Sequence, residues 1–287
     1  MTMSDPDLRD WIGRRETRDD VAVAAPAAGL AATLDLAEAG FEPGAPLPPA
    51  WHWLYFTPRA RRSELGPDGH PARGGFMPPV RLPRRMFAAA RMTFAGPVPV
   101  GAAIRREGEV IDVSRKTGTS GPLVFVRVRY RISADGRPAV EEEQTIVYRE
   151  PAAPGSSPAP ARDEARGPVE WRRRVVPDPV LLFRFSALTF NAHRIHYDRP
   201  YATEEEGYPG LVVHGPLTAL LLLQLCRDET GGRPVAEFGF RARRPLFDIA
   251  PFDLVGRMDG AGAGATLEAL DPQGAVAMTA MVRFADR

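Results

Sequence analysis

The stretch Tyr208-Pro209-Gly210-Leu211-Val212-Val213-His214-Gly215-Pro216-Leu217-Thr218-Ala219-Leu220-Leu221-Leu222-Leu223-Gln224-Leu225-Cys226-Arg227 holds the longest apolar helical segment of the chain. From residue 215 to 227 it is apolar on nearly every side, so it is a buried helix rather than a surface one. Strand candidates follow at residues 237–247, 252–258 and 265–284, the last broken by the turn Asp271-Pro272-Gln273-Gly274. One buried helix followed by antiparallel strands predicts an α+β sheet wrapped around a helix. Upstream, residues 172–188 read as strand-rich, with Val175, Val176, Val180, Leu181, Leu182, Phe183 and Phe185. A polar loop carrying histidines then leads to the helix.

The first half ends in the same manner. Strands are expected at residues 89–94, 103–115, 123–132 and 140–149. The run Val124-Phe125-Val126-Arg127-Val128-Arg129-Tyr130-Arg131 passes from continuous apolar character to period-two alternation. A weak, leucine-poor helix is expected at residues 27–39, and loops at 43–49 and 58–83. Each half thus predicts one helix and a three- to four-stranded curl, a two-fold pseudo-repeat in pattern rather than in sequence. The run Pro151-Ala152-Ala153-Pro154-Gly155-Ser156-Ser157-Pro158-Ala159-Pro160 has linker composition. The expected organisation is residues 1–150, a linker at 151–167, and residues 168–287.

The composition of the 287 residues narrows the function. Net charge is +1, which gives no general case for nucleic acid or an acidic membrane surface. Nearly all basic residues are arginine, whose planar fork suits phosphates and carboxylates. The single cysteine, Cys226, forbids an intramolecular disulfide and reads as core packing. No apolar stretch approaches the roughly 20 residues of a membrane helix. The first residues show no basic-then-apolar signal pattern. The expectation is a cytoplasmic, soluble protein.

Three of the five histidines, His193, His196 and His214, flank the loop and open the buried helix. A helix N-terminus offers free N–H groups and partial positive charge. Imidazoles facing such a terminus can combine a proton shuttle with an oxyanion cradle. The structural alternatives stay open beside this: His193 as a packed loop residue, His214 as a shaper of the helix entrance. His52, between two tryptophans, reads as packing or as a wall of a ligand tunnel. His70, in Pro67-Asp68-Gly69-His70-Pro71, has no case for function. Asp198-Arg199-Pro200 reads as a turn or ion pair, and Glu204-Glu205-Glu206 as a solvated helix start.

The run Phe185-Ser186-Ala187-Leu188-Thr189-Phe190-Asn191-Ala192-His193-Arg194-Ile195-His196-Tyr197-Asp198, with Tyr208 to Leu217, resembles the type 2 hydroxyacyl-thioester dehydratases. The itaconyl-CoA and mesaconyl-CoA hydratases related to them are similar as well. Trp51-His52-Trp53, Met77-Pro78-Pro79 and Arg115-Lys116-Thr117-Gly118 extend the resemblance over most of the chain. It implies a MaoC-like double hot-dog, two antiparallel sheets each wrapped around a central helix, with the first half degenerate and the site between halves. In the broader hydratase pattern an acidic residue and a histidine five positions later activate water. Laid on this chain, the histidine falls on His196 and the acidic position on Asn191. His193 stands where the pattern has asparagine, and Arg194 where it has proline. The resemblance also implies that the Gly215 N–H holds the thioester oxygen.

Asn191 cannot ionise, but it can orient a water or an imidazole. That leaves His196 as the main acid/base and His193 as its partner. The implied reaction adds water to, or removes it from, the double bond conjugated to an acyl-CoA thioester, the acyl group being short and branched or dicarboxylic. Dehydration of a 3-hydroxyacyl-carrier protein and a non-catalytic acyl-CoA-binding module are the competing readings. Arg73, Arg81, Arg84 and Arg85 are candidates for phosphate or carboxylate contacts, Arg84 being the one placed in the substrate site. No cofactor is expected. No metal is expected either, since no HExxH spacing occurs and no carboxylate completes a set with His193, His196 and His214. Exposed sheet edges predict a homo-oligomer.

Overall fold

The computed structural model describes residues 7–36, 40–118, 121–151 and 167–286. Ten strands form one continuous antiparallel sheet. They are β1 (Arg15–Val21), β2 (Arg84–Phe94), β3 (Ala103–Gly118), β4 (Gly121–Ala134), β5 (Arg137–Arg149), β6 (Trp171–Val175), β7 (Val235–Ala242), β8 (Phe252–Met258), β9 (Gly264–Leu270) and β10 (Val276–Phe284). Their order is β1-β3-β4-β5-β2-β7-β10-β9-β8-β6. Adding five to each strand number of the first half yields the second half's order read from its own outer edge inward. The pseudo-repeat is therefore topological. The halves meet where β2 pairs antiparallel with β7, from Ala89↔Arg241 to Thr93↔Glu237. The two expected sheets are thus joined edge to edge as one double hot-dog.

Helix α3 (Gly215–Glu229) is the buried helix of the second half and packs on β8, β9 and β10. Leu217, Ala219, Leu222, Leu225 and Cys226 are wholly buried in it. Each such leucine contributes roughly 1.5–3 kcal/mol. Its counterpart α1 (Ala24–Thr33) is shorter and packs chiefly against α2 (Pro179–Thr189) and the turn of helix at residues 51–54. The helix expected at residues 27–39 ends earlier, and residues 37–39 lie outside those described. So does most of the expected linker, residues 152–166.

Three expectations need correction. Residues 172–188 are not all strand: β6 ends at Val175 and α2 begins at Pro179. Asp178 caps α2 by accepting from the Leu181 N–H at 2.8 Å, and Pro179 fits its first turn. Leu182, Phe185 and Ser186 are buried along one helical face, whereas Val180 and Phe183 are exposed. The run's β-forming residues masked that period. Each half has five strands, not three or four. Strand β1, Arg-Glu-Thr-Arg-Asp-Asp-Val, has no buried apolar face and is held to β3 by its ladder and the Arg105–Asp19 ion pair. Finally, β7 stops at Ala242, short of the expected residue 247.

Candidate active site

The site begins with a clasp between two backbone segments. Val213 donates to the Leu246 carbonyl at 2.8 Å, Asp248 to that of Leu211 at 3.0 Å, and Val212 to that of Ile195 at 2.9 Å. This zips residues 211–213 onto 246–248 and delivers His214 to the N-cap of α3. No side chain caps α3, and Pro216 has no N–H. The His214 ring turns inward instead, fully buried, edge-on to Phe185, with Nε2 2.8 Å from the Ser186 hydroxyl. Its Nδ1 has no hydrogen-bond partner.

His196 stacks on His214 with ring centroids 3.7 Å apart. Its Nδ1 lies 2.7 Å from the Val212 carbonyl, which can only accept. Nδ1 therefore carries the proton, and Nε2 keeps a free lone pair. His193 lies 5.5 Å from His196, nearly perpendicular. His70 lies 4.2 Å from His193, and its Nδ1 is 3.0 Å from an Asp68 carboxylate oxygen. Four of the chain's histidines thus form one row, from Asp68 in the first half to Ser186 in the second.

The row exists because two loops dock. Residues 66–71 meet residues 191–194: the Arg194 N–H donates to the Asp68 carbonyl at 3.0 Å and its guanidinium to the Pro67 carbonyl at 3.1 Å. A proline at 194 could make neither bond. Asn191 Oδ1 accepts from the His193 N–H at 3.1 Å, shaping the loop. Gly69 has φ +88°, and a Cβ there would fall 1.9 Å from the Ala192 carbonyl oxygen, so only glycine permits the approach. The three departures from the hydratase pattern, at 191, 193 and 194, all serve this docking.

Burial sets the charge state. It drives His193 down to about 2, helped by His70 and His196. It drives His196 to about 4 against the opposing Val212 carbonyl. His214 falls well below the ordinary value by burial and by its neighbours His196 and His193, and His70 falls by burial against the pull of Asp68. Burial alone would raise Asp68, but its bonds to His70 outweigh that and hold it below the carboxylate range. The row is a set of neutral imidazoles anchored at one end by a carboxylate.

Ligand atoms of Asp68, His70 and His193 lie within 4.8 Å of one another, a grouping able to hold a metal ion. The Arg73 and Arg85 guanidiniums lower the His70 pKa through their positive field, which opposes a cation there. The histidine set considered from sequence is committed otherwise: His196 Nδ1 to Val212 and His214 Nε2 to Ser186.

Arg84 is held rather than open. Its Nε is 2.9 Å from Glu206, its guanidinium also meets the Glu206 carbonyl, and it covers the Tyr208 ring at 5.0 Å. Glu206 is thereby not the solvated residue expected, although Glu204 and Glu205 are exposed. Asp198 pairs with Arg194, and Arg199 with Asp248. His52 is buried, 3.0 Å from Glu142, and lines a cavity of about 140 Å³ with Trp53, Tyr130 and Thr189.

Sequence reasoning missed Asp68, His70 and Ser186. Asp-Gly-His with a glycine at a sharp turn was the only signal for the first two. Ser186 had one only if residues 179–189 were read as helix.

A continuous ten-stranded double hot-dog with an imidazole row at the start of its buried helix defines a hydro-lyase of acyl thioesters. The chain belongs to the hydroxyacyl-thioester dehydratase type 2 family, whose model matches residues 50–248. It is 54% identical over 284 residues to the mesaconyl-C(4)-CoA hydratase of Chloroflexus aurantiacus, covering 98% of this chain and 99% of that one. A MaoC-like dehydratase from Phytophthora capsici superposes with TM-score 0.68 at 14% identity, covering 96% and 97% of the two chains. A Mycobacterium tuberculosis protein described as a double hot-dog gives 0.59 at 15% identity, covering 94% and 95%.

Proposed function

We propose that this enzyme hydrates the conjugated double bond of a short branched or dicarboxylic enoyl-CoA, mesaconyl-C4-CoA being the favoured substrate and itaconyl-CoA a related one. The observation that carries this is the His196 tautomer: Nδ1 is tied to Val212, leaving Nε2 as a neutral base beside the α3 N-terminus. Water gives a proton to Nε2 and its oxygen bonds to Cβ. The C=C electron pair moves toward the thioester carbonyl, whose oxygen takes the negative charge. The Gly215 N–H faces that oxygen in this reading, with the helix dipole behind it. The enolate collapses, Cα accepts the proton, and water has been added across the bond. His193, His70 and Asp68 hold and polarise the row; Asn191 positions His193. The high identity to a mesaconyl-C(4)-CoA hydratase supports this acyl group over a long chain on a carrier protein.

The finer organisation belongs to the same reading. Residues 1–150 form a degenerate hot-dog, 151–167 a linker, and 168–287 the half carrying the base. Cytoplasmic residence and self-association complete the picture. Among the described residues no helix is long and apolar enough to cross a membrane. Exposed Val176, Val180 and Phe183 offer an apolar contact for a second copy.

The test is hydration of a panel of enoyl-CoA thioesters, followed as loss of the conjugated-thioester absorbance. Mesaconyl-C4-CoA should exceed crotonyl-CoA and long-chain thioesters. His196→Ala should cut kcat by roughly 10²–10⁴-fold while circular dichroism stays unchanged. Thioester binding without any turnover would instead establish a binding module.

A further inference from the structure

The inner face of β5 runs Glu142, Gln144, Ile146, Tyr148, and across from it on β2 stand Met92, Ala90, Phe87 and Arg85. Directly opposed residues of an antiparallel pair point to one face. Arg85 and Tyr148 therefore sit side by side on the face that carries the site. Phe87, two residues along, packs edge-on against Trp53 and Phe240, and its carbonyl is 3.7 Å from the position of a Gly215 Cβ. This end of β2 adjoins the start of α3.

Tyr148 is wholly buried, and the group its hydroxyl faces is the Arg85 guanidinium, at a geometry looser than a regular hydrogen bond. Arg85 is half-buried, and its guanidinium is directed at the Tyr148 hydroxyl rather than at a carboxylate among the described residues. The neighbouring arginines are taken: Arg73 donates to the carbonyls of Val80, Leu82 and Pro83, and Arg84 pairs with Glu206. The Arg85 charge is felt at His70, His193 and Tyr148, so it lies toward the imidazole row. Burial keeps the Tyr148 phenol protonated and able to donate.

We propose that Arg85 and the Tyr148 hydroxyl form the subsite for a carboxylate on the substrate's acyl group, next to the carbon that receives water. The proposal rests on the enoyl-CoA hydratase reading above. Arg85, rather than Arg84, then selects a dicarboxylic acyl group. A guanidinium and a phenol fit the phosphates of CoA as well. The enclosed Tyr148 hydroxyl favours a group within the acyl pocket over phosphates at its mouth.

The experiment compares wild type, Arg85→Gln, Arg85→Lys and Tyr148→Phe on three substrates. Mesaconyl-C4-CoA has carboxylate and phosphates, crotonyl-CoA lacks the carboxylate, and the mesaconyl thioester of pantetheine lacks the phosphates. Loss of a desolvated charge partner is worth on the order of 10²-fold. For Arg85→Gln, the fall in kcat/KM on both mesaconyl thioesters should exceed that on crotonyl-CoA at least about 30-fold. Arg85→Lys should recover part of it. Tyr148→Phe removes the hydroxyl and keeps the ring packing, and should lose discrimination several-fold. Equal losses on both CoA thioesters with the pantetheine thioester spared would assign the pair to phosphate and overturn the proposal. Equal losses on all three would make it architectural and overturn it too. A wild type that turns over crotonyl-CoA but not mesaconyl-C4-CoA sinks the carboxylate subsite and leaves the hydratase intact. A wild type inactive on all three sinks the hydratase reading itself.

Discussion

At the residue scale, the site is governed by which nitrogen of each imidazole is occupied. His196 is legible from sequence because it ends the Asn191-to-His196 loop before a helix start. Its tautomer is not, since the Val212 carbonyl that sets it lies 16 residues away and only the 211–213 clasp brings it close. His214 shows the opposite case. Sequence places it at the start of the buried helix, as a shaper of the helix entrance or a group facing the substrate, and does not say what its ring meets. Its packing against Phe185 and Ser186 follows from α2, whose helical period was hidden among β-forming residues. Ser186→Ala should leave both ring nitrogens of His214 without a partner in a dry environment. That should lower unfolding free energy by about 1–3 kcal/mol, measured by urea titration, and reduce turnover by loosening the ring on which His196 stacks. An unchanged urea midpoint would mean that the Ser186 hydroxyl is not satisfying His214.

At the element scale, the decisive unit is the pair of loops rather than any helix or strand. Most strands of the first half were legible because their apolar residues alternate with a solvated face. Strand β1 was not, because charge pairing along a sheet edge leaves no apolar period. The docking of residues 66–71 on 191–194 was equally invisible, since backbone bonds between irregular segments carry no composition signal. Gly69 is where that docking is most sensitive. Gly69→Ala places a methyl into the Ala192 carbonyl at a φ that L-residues avoid. The loops should part, with kcat falling at least 10-fold through displacement of His70 and His193. Steady-state kinetics with thermal melting will check this, and a variant with wild-type kcat would show that the loop contact is dispensable.

At the scale of the whole molecule, four neutral imidazoles make the fold sensitive to acid. The folded pKa values of His70, His193, His196 and His214 all lie below that of a free imidazole. As pH falls below about 6.5 the unfolded chain takes up protons first, so stability is complete above that pH and is lost as pH falls toward 4. With His196 held at about 4, its share is on the order of 3 kcal/mol. Melting temperature should drop steadily from pH 7 to pH 4.5, and His196→Asn should flatten that slope. A flat profile in the wild type would mean the row is charged or solvated. The topology carries a further consequence, through the β2–β7 seam and the residues on either side of it. His196, the proposed proton acceptor, is supplied by one half of the chain, while Asp68 and Gly69, which anchor the row and admit its neighbour, are supplied by the other. In the proposed chemistry neither repeat would suffice alone, and a single-copy ancestor would have needed a second polypeptide for the missing part.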